Sequence, residues 1–201
     1  MAKESLAELR AEAAHCTACP LYKHATQTVF GEGPARARIV LVGEQPGDQE
    51  DIAGKPFVGP AGGVLDKALE DAGIDRKAVY VTNAVKHFKF APRGKRRIHS
   101  KPNAAEIKVC SATWLVRELD AIAPQIVVAL GASAAQALMG KAVATGKLRG
   151  REIHWADGRR GIATVHPSYL LRIPDAASKA AEYKAFVRDL KHAATLVVTQ
   201  N

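Results

Sequence analysis

The chain has 201 residues, with 29 Lys and Arg against 20 Asp and Glu, a formal charge of +9 and a pI near 9.6. That length suits one domain, 1–201, with a real hydrophobic core, and no stretch approaches the ~20 consecutive apolar residues of a membrane span. The excess of cations favours a polyanionic partner, nucleic acid first, over a membrane or a basic substrate.

The start, "MAKESLAELRAEAAH", reads as an amphipathic helix with Ser5 and Glu8 as a capping box. It is not a charged start followed by an apolar signal core, so a cytoplasmic location is expected. The helix runs toward Cys16 and Cys19, a Cys-x-x-Cys spacing that lets two thiolates converge on one metal or cluster. Cys110 is the third and last cysteine, and three thiols cannot all pair off. A fourth ligand is needed, and spacing leaves His15, His24 and His87 open.

"RIVLVGEQPG" is an apolar strand entering a Gly-bounded turn, and "AGGVLDKALEDAGI" a helix with Gly73 as its stop. "AVYVTNAV" is a second buried strand, followed by a basic segment over 86–101 that reads as a loop. Asn103 with Glu106 caps the next helix, which carries Cys110 and Trp114. "PQIVVALG" is a third strand with an alanine-rich helix behind it. "GIATVHPSY" is a fourth strand entering a loop, and the chain closes on a helix after Pro174.

Strands alternating with helices predict a three-layer α/β/α fold around a central four-stranded parallel sheet. Ligands of such sheets sit beyond the carboxyl ends of the strands. Glu44 with Gln45, then Asn83, then His166 all lie at those ends. There is no Gly-Lys-Ser/Thr P-loop and no helix-opening G-x-G-x-x-G, so a nucleotide-cofactor site loses its main support. Phe57, in "GKPFVGPAGG", either folds back onto the core or offers a ring on which a flat base can stack. The Asn83 amide offers a donor and an acceptor together, which suits a pyrimidine edge as well as a turn.

Taken together, "GEQPG", "GKPFVGPAGG", "TNAVKH", "IVVALG" and "HPSYLLR" resemble the uracil-DNA glycosylase superfamily, its iron–sulfur (family 4-like) members above all. Two departures, Val85-Lys86-His87 in place of Val-Lys-Cys and the inserted "GKRRIHS", resemble the UdgX group, which binds uracil-DNA irreversibly through a histidine. The resemblance implies a four-iron, four-sulfur cluster on Cys16, Cys19, His87 and Cys110, with zinc as the other occupant such donors suit. It implies uracil held by Gln45, Phe57, Asn83 and His166, with His166 stabilising the leaving group and Glu44 or Gln45 holding a water. Lys95, Arg96, Arg97, Lys101, Ser168 and Arg172 would meet DNA phosphates, and Leu170 or Leu171 would fill the space of the flipped base.

The same resemblance raises His99. Lys and Arg are protonated at neutral pH and offer no lone pair, whereas an imidazole is largely neutral there. His99 is thus expected to attack the anomeric carbon, oriented by Glu44, giving a single-turnover covalent adduct. A conventional multiple-turnover glycosylase and a non-catalytic DNA-binding protein on the same fold are the competing expectations. The partner is uracil-containing DNA, single-stranded with duplex also open, and a monomer is the default.

Overall fold

The structure is a computed structural model and describes residues 4–197. In chain order the elements are α1 (Leu6–Ala13), β1 (Ile39–Gly43), α2 (Asp48–Ala53), α3 (Pro60–Asp71), β2 (Tyr80–Asn83), β3 (Phe90–Arg93) and β4 (Arg96–His99). They continue with α4 (Ala104–Cys110), α5 (Val116–Ile122), β5 (Ile126–Leu130), α6 (Ala132–Met139), α7 (Thr145–Leu148), β6 (Ile153–His154), β7 (Arg160–Thr164), α8 (Pro167–Arg172) and α9 (Ala176–Thr195).

The apolar runs become the centre of one sheet because both of their faces are buried. Along β1, Ile39 and Leu41 enter one core while Val40 and Val42 enter the other, and β5 alternates in the same way. The first core is closed by Leu65 and Leu69 of α3, Leu170 of α8, and Phe186 and Leu190 of α9. The second is closed by Leu119 of α5 and Ala134 and Leu138 of α6. This is the expected three-layer arrangement. No helix among the described residues is long and apolar enough to cross a membrane.

The sheet order is β2-β1-β5-β7-β6, and β2, β1, β5 and β7 are parallel. The expectation of four parallel strands is corrected by one: β6 adds an antiparallel edge to β7. With only two residues, Ile153 and His154, it is too short to carry a periodic apolar signal.

A larger correction concerns the basic segment. Residues 90–99 are not a loop but a two-stranded antiparallel hairpin, β3 with β4, in which Phe90 pairs with His99 and Arg93 with Arg96. Gly94, at φ +59°, takes the left-handed turn that the two-residue connection requires. Likewise "HPSYLLR" is the helix α8, with His166 as its N-cap and Pro167 at its first position.

The capping boxes at Ser5/Glu8 and Asn103/Glu106 form as expected. The helix carrying Cys110 and Trp114 passes through one wide turn, Ser111–Leu115, before α5. Arg117 of α5 pairs with Glu4 and Glu12 and ties the N-terminal helix down. Behind the sheet lies a polar network that the sequence does not announce. Lys86 and Glu118 are fully buried and paired, and Lys86 Nζ also donates to Thr82 Oγ1 (2.6 Å) and to the carbonyl of Asn83 (2.8 Å). Tyr80 donates to Glu118 at 2.8 Å, and burial, together with the carboxylate beside it, pushes the Tyr80 pKa far up. A buried charge is tolerable only when its partners are in place, so this network fixes the end of β2 where Asn83 stands.

Candidate active site

The carboxyl ends of β1, β2, β5 and β7 open into a cleft of about 1050 Å³ whose lining includes Glu44, Gln45, Phe57, Asn83, His99, Ser133 and His166. Gly43 ends β1 beside Asn83. A Cβ at Gly43 would stand 2.3 Å from Asn83 Oδ1 and 2.7 Å from the Phe57 ring, so glycine is what lets the amide and the ring face one cavity. Gly62 serves the same end, since a Cβ there would meet the Phe57 carbonyl at 1.8 Å.

Phe57 sits where its two readings meet, between the core and the cleft. It is 7 % exposed and packs into the core, yet it borders the cleft and stacks toward His166, ring centroids 6.2 Å apart. Its φ of +56° is rare for a bulky residue and costs on the order of 1–3 kcal/mol. The neighbouring turn is held by Glu50, whose carboxylate accepts the backbone N–H groups of Gly47 (3.1 Å) and Gly59 (2.8 Å).

His166 is set by the first turn of α8. The backbone N–H of Ser168 donates to His166 Nδ1 at 3.2 Å and the Ser168 hydroxyl lies 2.8 Å from the same nitrogen. Nδ1 is thereby an acceptor, the neutral ring carries its proton on Nε2, and that N–H is a donor at the cleft. Burial pushes the His166 pKa down to about 4, against the pull of Glu44. Ser168 and Arg172, expected on phosphates, are thus engaged in this support: Arg172 donates to Ser168 Oγ at 3.1 Å. Leu170, expected as a wedge, is 1 % exposed in the core beneath the helix, whereas Leu171 is 42 % exposed.

Glu44 stands between β1 and the hairpin. His99 Nε2 lies 3.2 Å from Glu44 Oε1, and the Ser133 hydroxyl donates to Oε2. Burial works to raise the Glu44 pKa, but the hydrogen bonds from His99 and Ser133 outweigh it and hold the carboxyl below its usual range. Gln45 takes a different part from the one expected. Its amide donates to the carbonyls of Lys89 and Ser100 (3.1 Å each) and accepts from the Lys89 N–H (3.0 Å). Those bonds use both amide hydrogens and one lone pair of the oxygen in clasping the two roots of the hairpin, while Gln45 still borders the cleft.

Arg97, expected on a phosphate, points inward instead. It pairs with Asp48 (2.6 Å) and buried Asp51 (2.6 Å) and lies over the rings of Phe88 and Phe90. Alternation along β4 puts His99 on the same side, while Lys95 and Arg96 at the turn and Lys101 beyond the strand are exposed. The hairpin therefore faces the protein with His99 and Arg97 and faces solvent with its other cations.

The three cysteines lie in one apolar cluster with Phe30, Val85 and Trp114, with Cys19 and Cys110 buried. Cys16 Sγ accepts from the Trp114 indole (3.1 Å) and Cys110 Sγ from the Lys86 N–H (3.2 Å). Burial pushes the Cys110 thiol up to about 12. His87 Nε2 is 3.0 Å from Thr28 Oγ1, and its Nδ1 is buried without a partner. Among the described residues no three His, Cys, Asp or Glu side chains are already drawn together as ligands of a metal ion.

The His166 assignment is open to direct measurement. Nitrogen chemical shifts should show a neutral, Nε2-protonated ring from about pH 8 down to about pH 5, with the titration centred near 4. A midpoint near the ordinary ~6.5 would contradict it.

Comparison with known proteins agrees with this geometry. A profile of the uracil DNA glycosylase superfamily matches residues 30–191. The chain is 43 % identical over 172 residues to a type-4 uracil-DNA glycosylase of Thermotoga maritima, covering 85 % of each chain. It is 36 % identical over 178 residues to a type-4 enzyme of Archaeoglobus fulgidus, again covering 85 % of each. To a type-5 uracil-DNA glycosylase of Pyrobaculum aerophilum it is 33 % identical over 175 residues, covering 77 % of this chain and 74 % of that one. With the match spanning the sheet, the cleft and all its strand-end residues, the chain belongs to the uracil-DNA glycosylase superfamily.

Proposed function

We propose that the protein excises uracil from DNA and is then captured, through His99, on the anomeric carbon of the sugar left behind, as in the UdgX group that its "KRRIH" insertion resembles. The observation that carries this reading is the imidazole of His99 held against the ionised Glu44 at the mouth of the cleft, on a hairpin clasped by Gln45.

A base inside a stack is out of reach of the cleft, so the nucleotide is extruded at a cost of a few kcal/mol. Lys95, Arg96 and Lys101 hold phosphates from the solvent face of the hairpin and the rim, and Leu171 fills the vacated space. Uracil lies against Phe57, with Asn83 at its edge. The amide rejects cytosine, whose amino group is a donor where uracil has an acceptor. As the glycosidic bond breaks, its electron pair passes to the base, and the Nε2–H of His166 stabilises the charge on the uracil carbonyl oxygen, a contribution of about 3 kcal/mol. Because His166 is neutral, it donates a hydrogen bond without adding a cation beside the cationic sugar.

The sugar becomes oxocarbenium-like. The unprotonated nitrogen of His99 gives its lone pair to the anomeric carbon, forming an N-glycosidic bond, and the ring becomes an imidazolium. Glu44 orients the ring and balances that charge. The reaction stops there, after one turnover. A second reading has Glu44 hold a water in the same place, and it is favoured by the carboxylate being ionised and within the cleft.

Cys16, Cys19, His87 and Cys110 fit a four-iron, four-sulfur cluster on two observations: two thiols already accept N–H donors, and the buried His87 Nδ1 lacks a partner. Such a cluster supplies a cross-link between the segment after α1, the end of β2 and α4, with zinc as the other occupant. Protein purified without chelator should be brown, with visible absorbance that Cys110→Ser or His87→Ala diminishes. A colourless, iron-free protein carrying stoichiometric zinc would overturn the iron–sulfur assignment.

The covalent reading is tested by incubating the protein with uracil-containing single-stranded DNA and resolving the products on denaturing gels. Wild type should give a boiling-resistant shifted band in one-to-one yield, and His99→Ala should lose it, by at least ~100-fold in rate. Free abasic DNA released by wild type over many turnovers would sink the covalent step and leave the water-dependent reading.

A further inference from the structure

Ser133 is nearly absent from the surface, 2 % exposed, in the first turn of α6. Its neighbours in "ASAAQALM" are apolar but for Gln136, and Ala134, Ala135 and Leu138 pack into the core behind the sheet. Alanine is the better helix former and the ordinary occupant of such a position. A buried hydroxyl is tolerated where it has a hydrogen-bond partner, and here the partner is one specific atom, Oε2 of Glu44. The other oxygen of the same carboxylate, Oε1, meets His99. Glu44 is therefore held from both sides, by a helix of the core and by the hairpin. Gly131, at φ +91°, starts α6 immediately at the end of β5, and a Cβ there would stand 3.0 Å from His166 Cβ, so glycine lets the start of α6 pass close to His166.

We propose that Ser133 is a positioning residue that fixes the rotamer of the Glu44 carboxylate, so that its free oxygen faces His99 and the sugar is captured by imidazole instead of water. The inference rests on the function proposed above and adds to it the element that decides between the two captures. Without the Ser133 hydroxyl one oxygen of Glu44 is unanchored, and the carboxylate can turn from His99 toward solvent and hold a water. Bond changes in each capture are simple. Either His99 gives its lone pair to the anomeric carbon, or a water oxygen does and passes its proton to Glu44. The charged and titratable groups facing Glu44 are His99 from β4 and His166 ahead of α8, with Arg172 acting on His166.

The test measures single-turnover adduct formation and free abasic product together, across pH, for wild type, Ser133→Ala and Ser133→Thr, each with its melting temperature. Ser133→Ala should slow adduct formation about tenfold and raise the ratio of abasic product to adduct. Its acid limb should also move to higher pH, because a bond that holds Glu44 ionised has been removed. Ser133→Thr, which keeps the hydroxyl, should restore the wild-type ratio. A general loss of packing would lower both products together and would not be rescued in the ratio, so unchanged partition and unchanged acid limb in Ser133→Ala overturn the proposal. If wild type itself gives only abasic product, the covalent reading fails. The acid limb of abasic formation then decides Ser133 separately, its shift supporting the tether and its constancy overturning it.

Discussion

The three hydrogen bonds of the Gln45 amide to Lys89 and Ser100 are the constraint on which the rest of the site depends. A two-stranded ribbon is marginal by itself in water. This one is held at its root by Gln45 and along its inner face by Arg97, which pairs with Asp48 and Asp51 of α2. Asp51 in turn accepts the backbone N–H of Thr26, so the hairpin, α2 and the N-terminal segment share one carboxylate. The consequence is positional. Glu44 and Gln45 are consecutive residues at the end of a buried strand: one clasps the ribbon and the other meets the histidine the ribbon carries. A basic segment that reads as a loop gripping phosphate is thereby made into a braced arm.

The division of labour in the cleft follows from environment. Both histidines face the same carboxylate, yet His166 is partly buried, neutral and locked in one tautomer by Ser168, while the side chain of His99 is half exposed. The first is suited to donating a hydrogen bond, the second to arriving at a carbon atom. Opposite them the end of β2 is fixed from behind by the buried Lys86–Glu118 pair, whose ammonium also holds the carbonyl of Asn83. The discrimination proposed for Asn83 needs that rigidity, since a rotated amide would present the opposite donor and acceptor pattern.

Much of this was legible in the sequence. The apolar runs gave the four parallel strands, and their carboxyl ends gave Glu44, Asn83 and His166 without any coordinates. His99 was singled out because a lone pair at neutral pH distinguishes it from the Lys and Arg around it. The hairpin was not legible. Phe90–Arg93 and Arg96–His99 carry a proline and three arginines, and the ribbon is stabilised by contacts from Gln45 and α2, not by an alternating apolar face. The one signal was Gly94 in a two-residue connection. Gln45, Arg97, Ser168 and Arg172 read as substrate contacts because charge and amide groups at a site suggest binding; in the fold Arg97 turns inward to Asp48 and Asp51, Gln45 clasps the hairpin, and Ser168 and exposed Arg172 support His166 at the cleft. Leu170 and Leu171 look alike in a row of letters, and only the helical turn of α8 buries one and exposes the other. Ser133 left a faint trace, a hydroxyl in an alanine-rich helix.

The central claim is that an imidazole, not a water and not a lysine, ends bonded to the sugar. Peptide mapping by mass spectrometry tests it most directly: trap the wild-type protein on uracil-containing DNA, digest the DNA to the sugar-phosphate remnant, and locate the added mass. The account predicts the remnant on His99, stable without reduction. A remnant on Lys95 or Lys101, or one that survives only after borohydride, would show an imine in place of the imidazole bond and contradict the account.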